Sequence, residues 1–139
     1  AEALAAGLLR RRYLSRGRVL VRELLPLRRL HVPASDFPVG REYRVFLLAG
    51  QPLAHGYYWP FRGDWSRLAP ADEAAMLALA ATAARRLATP LVSVDLGQLD
   101  DGRWVVIEVG DPQFSGLSFI DPRALWSALA RHLSSWTCP

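Results

Sequence analysis

Asp101–Gly102 stands between two runs of mostly apolar residues, Leu91–Leu99 and Arg103–Val109. An Asp-Gly pair suits the tight turn whose twist matches two right-twisted strands, so the segment reads as a β-hairpin. Arg41–Ala49 and Pro52–Trp59 read as a second hairpin, turned at Gly50–Gln51. Arg18–Leu25 alternates in character and reads as a further strand ending at Pro26. Arg28–Gly40 and Pro60–Pro70 are rich in turn residues and read as loops. Hairpins require antiparallel pairing, and three helix signals surround them. Ala1–Ser15 carries Leu4, Leu8 and Leu9 and then Arg10–Arg12, with Gly17 to end it. Asp72–Ala88 has acids in its first turn, Arg85 and Arg86 in its last, and a stripe of Met76, Leu79, Ala80, Ala83 and Leu87. Asp121–Pro122 combines an N-cap with proline at the first helical position, ahead of Leu125, Leu129 and Leu133. The expected class is α+β: an antiparallel sheet of two hairpins plus a further strand, with helices packed on one face.

The 139 residues suit a single domain, residues 1–139, with a sizeable core. Apolar residues at 51% and charged residues at 22% exclude a disordered or collagen-like chain. The longest uncharged apolar run, Ala74–Ala84, falls far short of the roughly 20 residues a membrane-spanning helix needs. Ala1–Leu9 is apolar and precedes its basic residues, the reverse of a secretory signal. The first helix lacks a capping residue, which leads us to expect a chain cut from a larger protein. The lone Cys138 excludes an internal disulfide and a cysteine zinc site, and a reducing, cytoplasmic setting is expected. His31, His55 and His132 show no ligand spacing. The net charge of +4 comes from arginine alone; the sequence contains no lysine. Any chemistry that needs a lysine must draw it from elsewhere.

Counting back from the Asp101–Gly102 turn sets Asp95 directly opposite Glu108, with Trp104 and Val106 on the face of Glu108. Like charges at facing positions repel. Three arrangements tolerate them: a divalent cation held between the carboxylates, one carboxyl kept protonated for acid–base work, or an open, solvated sheet face. Asp111, three residues past Glu108, offers a further oxygen. In the first hairpin the same counting sets Arg44 opposite Tyr57 and Phe46 opposite His55. An arginine flanked by Tyr43, Val45 and Phe46 requires a partner. One reading is an ion pair with Glu42 or Glu23; the other is a guanidinium aimed at a phosphate or a developing oxyanion.

Three stretches, in order, resemble the C-terminal part of an ATP-grasp domain: VLVRELL at Val19–Leu25, REYRVFLL at Arg41–Leu48, and VDLGQLDDGRWVVIEVGDPQFSG at Val94–Gly116. The last ending resembles the ATP-grasp clade named for one arginine and two lysines. The resemblance covers about Arg18 to Gly116. It implies that Glu23, Leu24 and Leu25 contact adenine, that Glu42 reaches the ribose, and that Arg44 is the catalytic arginine on the γ-phosphate. It implies that Asp95 and Glu108 hold Mg²⁺ bridging the ATP phosphates. Family members place asparagine two residues after the second acid. Here that position is Gly110, and Asp111 stands one residue further on as its substitute.

The implied reaction is an ATP- and Mg-dependent carboxylate ligation, in which an acyl phosphate is attacked by an amine-type nucleophile. The implied partners are a small-molecule or peptide carboxylate, the nucleophile, and the family's other lobe. That lobe carries a glycine-rich flap and phosphate-binding lysines, absent from these residues. The chain therefore reads as the C-terminal lobe of a larger ATP-grasp domain, completed by an N-terminal lobe or a partner chain. The alternative is a non-catalytic nucleotide-binding or interaction domain that retains the fold. The acids at Asp95, Glu108 and Asp111 oppose a polyanion, so nucleic acid is not the expected partner, and neither is a membrane.

Overall fold

A computed structural model of the chain describes residues 2–11, 18–30, 39–60 and 63–134. The elements are α1 (Glu2–Arg10), β1 (Glu42–Leu48), β2 (Gln51–Tyr57), a 3-10 turn at Asp64–Ser66, α2 (Pro70–Leu87), β3 (Leu91–Gln98), β4 (Trp104–Gly110) and α3 (Pro122–Ser134). The four strands form one sheet in the order β2-β1-β3-β4, every pair antiparallel. The α+β class and the two hairpins are as expected from sequence. Joining them, β1 and β3 pair along their lengths.

On one face, Tyr43, Val45 and Leu47 of β1 and Val92, Val94 and Leu96 of β3 pack beneath Met76, Ala80 and Ala84 of α2. The small alanines let the helix lie close to the sheet. Pro70 begins α2, Asp72 and Glu73 occupy its first turn, and Ala88 closes it in the left-handed region at φ 51°. On the opposite face, Phe46 packs with Ile120 and Leu125, with Leu53 and Ala54 beside them. Helices therefore lie on both faces, not one, because Phe46 points away from the side of Tyr43, Val45 and Leu47. Asp121 caps α3 by accepting the Arg123 backbone N–H at 2.9 Å. The stripe of α3 is buried at Leu125 and Ala128, whereas Leu133 is exposed. Helix α3 rests on β2 and β1. Asp95 and Glu108 lie on the neighbouring strands β3 and β4.

Both hairpin registers differ from the counted ones. The first turn is Ala49–Gly50, with φ of 49° and 76°, one residue earlier than expected. The Ala49 N–H bonds to Pro90 O at 2.6 Å, a contact from outside the hairpin that fixes residue 49 in the turn. Leu48 then pairs with Gln51, and an irregularity after Phe46 leaves Arg44 opposite Gly56 and Phe46 opposite Ala54. In the second hairpin, Gln98 pairs with Trp104 across a longer connection closed by Leu99 N–H to Arg103 O. That shift of one is cancelled by a bulge at Ile107, so Asp95 still faces Glu108. The bulge places Trp104 and Val106 against the α2-side core instead of beside Glu108.

Arg18–Leu25 is not a strand. Residues 18–25 pair with no strand: Arg22 Nη1 donates to Ile107 O at 2.6 Å, and just beyond them single bridges join Leu27 with Leu99 and Arg29 with Gly40. Alternation alone supplies no partner for a strand's backbone groups, and among the described residues no strand lies alongside. Leu20, Val21 and Leu24 are 85%, 68% and 93% exposed. Likewise α1 buries none of its residues, and Leu4, Leu8 and Leu9 face outward. Gly17, expected to end that helix, lies outside the described residues. Among the described residues no helix is long and apolar enough to cross a membrane.

Candidate functional site

The pairing builds one row across the whole sheet: Gly56, Arg44, Asp95, Glu108. Arg44 Nε donates to Asp95 Oδ1 and Nη2 to Oδ2, both at 2.7 Å. Nη1 donates to Gly116 O at 2.6 Å. The guanidinium carbon sits 4.9 Å from the centre of the Tyr58 ring, a cation–π contact. Three of the five guanidinium N–H groups are thereby used. The side chains of Arg44 and Asp95 are only 11% and 9% exposed. So little water makes a single charge costly, and the two-pronged pairing offsets it. The hydrogen bond to Asp95 holds the Arg44 pKa above its ordinary value. Burial opposes this, and the charge of Asp95, Tyr58 and Glu108 adds to it. The partner that Arg44 requires is therefore Asp95, not Glu42 or Glu23.

Gly56 is needed opposite Arg44, since a Cβ there would lie 2.7 Å from the backbone of Phe119 and Ile120. The segment carrying Gly116 is anchored separately. Ser93 Oγ donates to Gly110 O at 3.1 Å and lies 2.7 Å from Ser115 Oγ, which bonds Asp111 O at 3.0 Å. A Cβ on Gly110 would meet these two hydroxyls at 3.0 and 3.1 Å. The two serine hydroxyls thus crowd Gly110, the position that the resemblance would assign to asparagine.

Asp111 does not join the other acids. Its Oδ1 accepts the Gln113 N–H at 2.9 Å in an Asx turn. Among the described residues no group of three or more His, Cys, Asp or Glu side chains comes together. Asp95 and Glu108 remain as a facing pair, the first buried and the second exposed.

Glu42 lies two residues before Arg44 and points to the same face. It lines a cleft of about 580 Å³ with Leu24, Leu25, Pro26, Leu27, Arg29, Gly40 and Asp100. Trp59 Nε1 donates to Glu42 Oε1 at 2.9 Å. Burial pushes the Glu42 pKa up, the Trp59 bond pulls against it, and the charge of Asp95 adds to the rise. Gly97 allows the incoming segment to lie this close, since a Cβ there would stand 2.7 Å from Leu27 Cδ2. Glu23 lines an adjoining cleft of about 370 Å³ with Arg22, Leu24, Leu25, Leu27, Val106 and Ile107. Leu24, Leu25 and Glu42 therefore share one cleft, and Glu23 lies next to it.

Sequence reasoning did not single out Tyr58, Ser93, Ser115 or Gly116. Ser93 carries a signal in hindsight, since it stands two residues before Asp95 on the same strand face. His55 pairs with Glu73 at 2.9 Å. His31 and Cys138 lie outside the described residues.

A family model matches residues 4–129; it describes an ATP-grasp domain, family 3 of the clade named for one arginine and two lysines. No curated protein matches the chain. Among solved structures, that of the D-cycloserine synthetase DcsG aligns at a TM-score of 0.40 and 24% identity, over 66% of this chain and 38% of that one. The chain thus spans well under half the length of that protein.

Proposed function

This chain belongs to the third family of the arginine-and-two-lysine clade of ATP-grasp domains, and from that premise we propose that it supplies the metal- and nucleotide-binding lobe of an ATP- and Mg²⁺-dependent carboxylate ligase. The observation that carries the reading is the row Arg44–Asp95–Glu108, a cation beside two facing carboxylates on one sheet face. The donor set fits magnesium. This ion takes one or two carboxylates and completes its octahedron with phosphates and water, so a third acid from Asp111 is not required. Both Asp95 oxygens accept from Arg44, so the ion and the guanidinium draw on the same carboxylate.

When bound, the magnesium nucleotide supplies the phosphoryl group that activates a carboxylate toward an amine-type nucleophile. The residues of this chain bind and orient. Arg44 directs its guanidinium at a phosphate oxygen and neutralises charge that builds there. Asp95 and Glu108 offer their oxygens to the ion. Leu24 and Leu25 cover the base, with Glu23 beside them, and Glu42 accepts from the ribose hydroxyls. A second lobe, from a longer chain or a partner, provides the phosphate-binding lysines, in a cytoplasmic setting.

Isothermal titration of the intact protein with Mg²⁺ and a non-hydrolysable ATP analogue tests this. Glu108→Ala is expected to weaken binding about tenfold or more; unchanged affinity overturns the reading. The absence of lysine from all 139 residues favours a second reading, a nucleotide-binding domain without turnover. ADP release by the intact protein, with candidate acids and amines supplied, eliminates it.

A further inference from the structure

We propose that Arg44 acts as a built-in occupant of the cation site, so that a divalent ion gains Asp95 only as the guanidinium transfers toward a nucleotide phosphate. The inference rests on the nucleotide-binding reading above and deepens it. Asp95 is the buried member of the facing acid pair, and both of its oxygens are held by Arg44. Glu108 is the exposed member and lies within the electrostatic reach of the same guanidinium. A divalent ion arriving alone therefore meets a resident positive charge on its better-buried ligand. Like charges sharing a site disfavour one another, as two cations on one carboxylate do here.

The surroundings suit a guanidinium that moves a short way. Tyr58 offers a ring face, which attracts a cation without fixing its rotation. The bond to Gly116 O comes from a segment anchored independently by Ser93 and Ser115, so that segment keeps its place when Arg44 turns. A nucleotide phosphate supplies the negative charge that Arg44 loses on leaving Asp95. Ion and nucleotide then strengthen one another's binding, and by linkage the effect is reciprocal.

The probe is Mn²⁺ without nucleotide, followed by water-proton relaxation and by the shift it causes in thermal unfolding of the intact protein. The wild type is expected to bind Mn²⁺ weakly. Arg44→Met, which keeps bulk and removes charge, is expected to bind at least about tenfold more tightly and to be restabilised by the ion. Adding Glu108→Gln to that variant is expected to abolish the gain. Arg44→Lys keeps a charge but lacks the fork. It covers the case in which the methionine variant does not fold, with an expected gain of about threefold. Unchanged or weaker Mn²⁺ binding in the variant that folds overturns the inference. A wild type that binds magnesium nucleotide beside such a variant leaves the proposed function standing. A variant that gains Mn²⁺ affinity in a protein that binds no nucleotide does the reverse.

Discussion

Two parts of this chain carry alternating sequence, and only one of them becomes sheet. Strands β1 and β3 share a full antiparallel ladder and place Val45, Leu47, Val94 and Leu96 under α2. Residues 18–25 have a comparable pattern, yet they join no ladder, touch the sheet through the Arg22 bond to Ile107 O, and expose Leu20, Val21 and Leu24. The difference is the availability of a backbone partner, which hydrophobic pattern does not encode. The paired part carries the charged row, and the unpaired part lines the cleft beside it.

Substitutions on the two sides sharpen that contrast. The largest effect is expected at Asp95→Ala, which leaves Arg44 buried without its counter-charge. Breaking such a pair costs about 3–5 kcal/mol, and Arg44 keeps Gly116 O and Tyr58, so a loss of about 3 kcal/mol is expected in urea unfolding. Met76→Ala opens a cavity beneath α2 and is expected to cost about 2 kcal/mol by the same measurement, the low end for such truncations because the surrounding alanines leave room to collapse. Glu42→Gln stands at the boundary of the two parts. Burial raises the Glu42 pKa above 4.5, so the folded state holds this proton more tightly than the unfolded state does. The wild type therefore loses stability as pH rises from about 4.5 through the folded-state value, and Glu42→Gln is expected to flatten that part of the profile. The smallest effect is expected at Leu24→Ala, within about 0.5 kcal/mol, because the side chain is already in solvent. A loss at Leu24 equal to that at Met76 would break the contrast.

The hairpins, the helix on Asp72–Ala88 and the cap at Asp121 are legible because each depends on residues near in sequence. The registers are not. Ala49 is fixed by Pro90 from outside its hairpin, and the second turn, though local, is lengthened by bonds that the Asp101–Gly102 pair does not signal, Leu99 N–H to Arg103 O and Gln98 Nε2 to Gly102 O. The facing of Asp95 and Glu108 is legible, though simple counting succeeds only because the longer turn and the Ile107 bulge offset each other. The partner of Arg44 is not legible, since Asp95 lies 51 residues away on a strand outside the Arg44 hairpin. Asp111 illustrates the same limit at short range: its spacing allows a third ligand, and its own loop takes the carboxylate instead.

The extra residue at Ile107 separates the end of its hairpin from the acids at its base. Above the bulge, the strands obey the turn; below it, they obey the pairing of Ser93, Val94 and Asp95 with β4. A lineage can therefore trade one residue at the tip against the bulge, remodelling what the hairpin offers to solvent while the distance between the two carboxylates is kept.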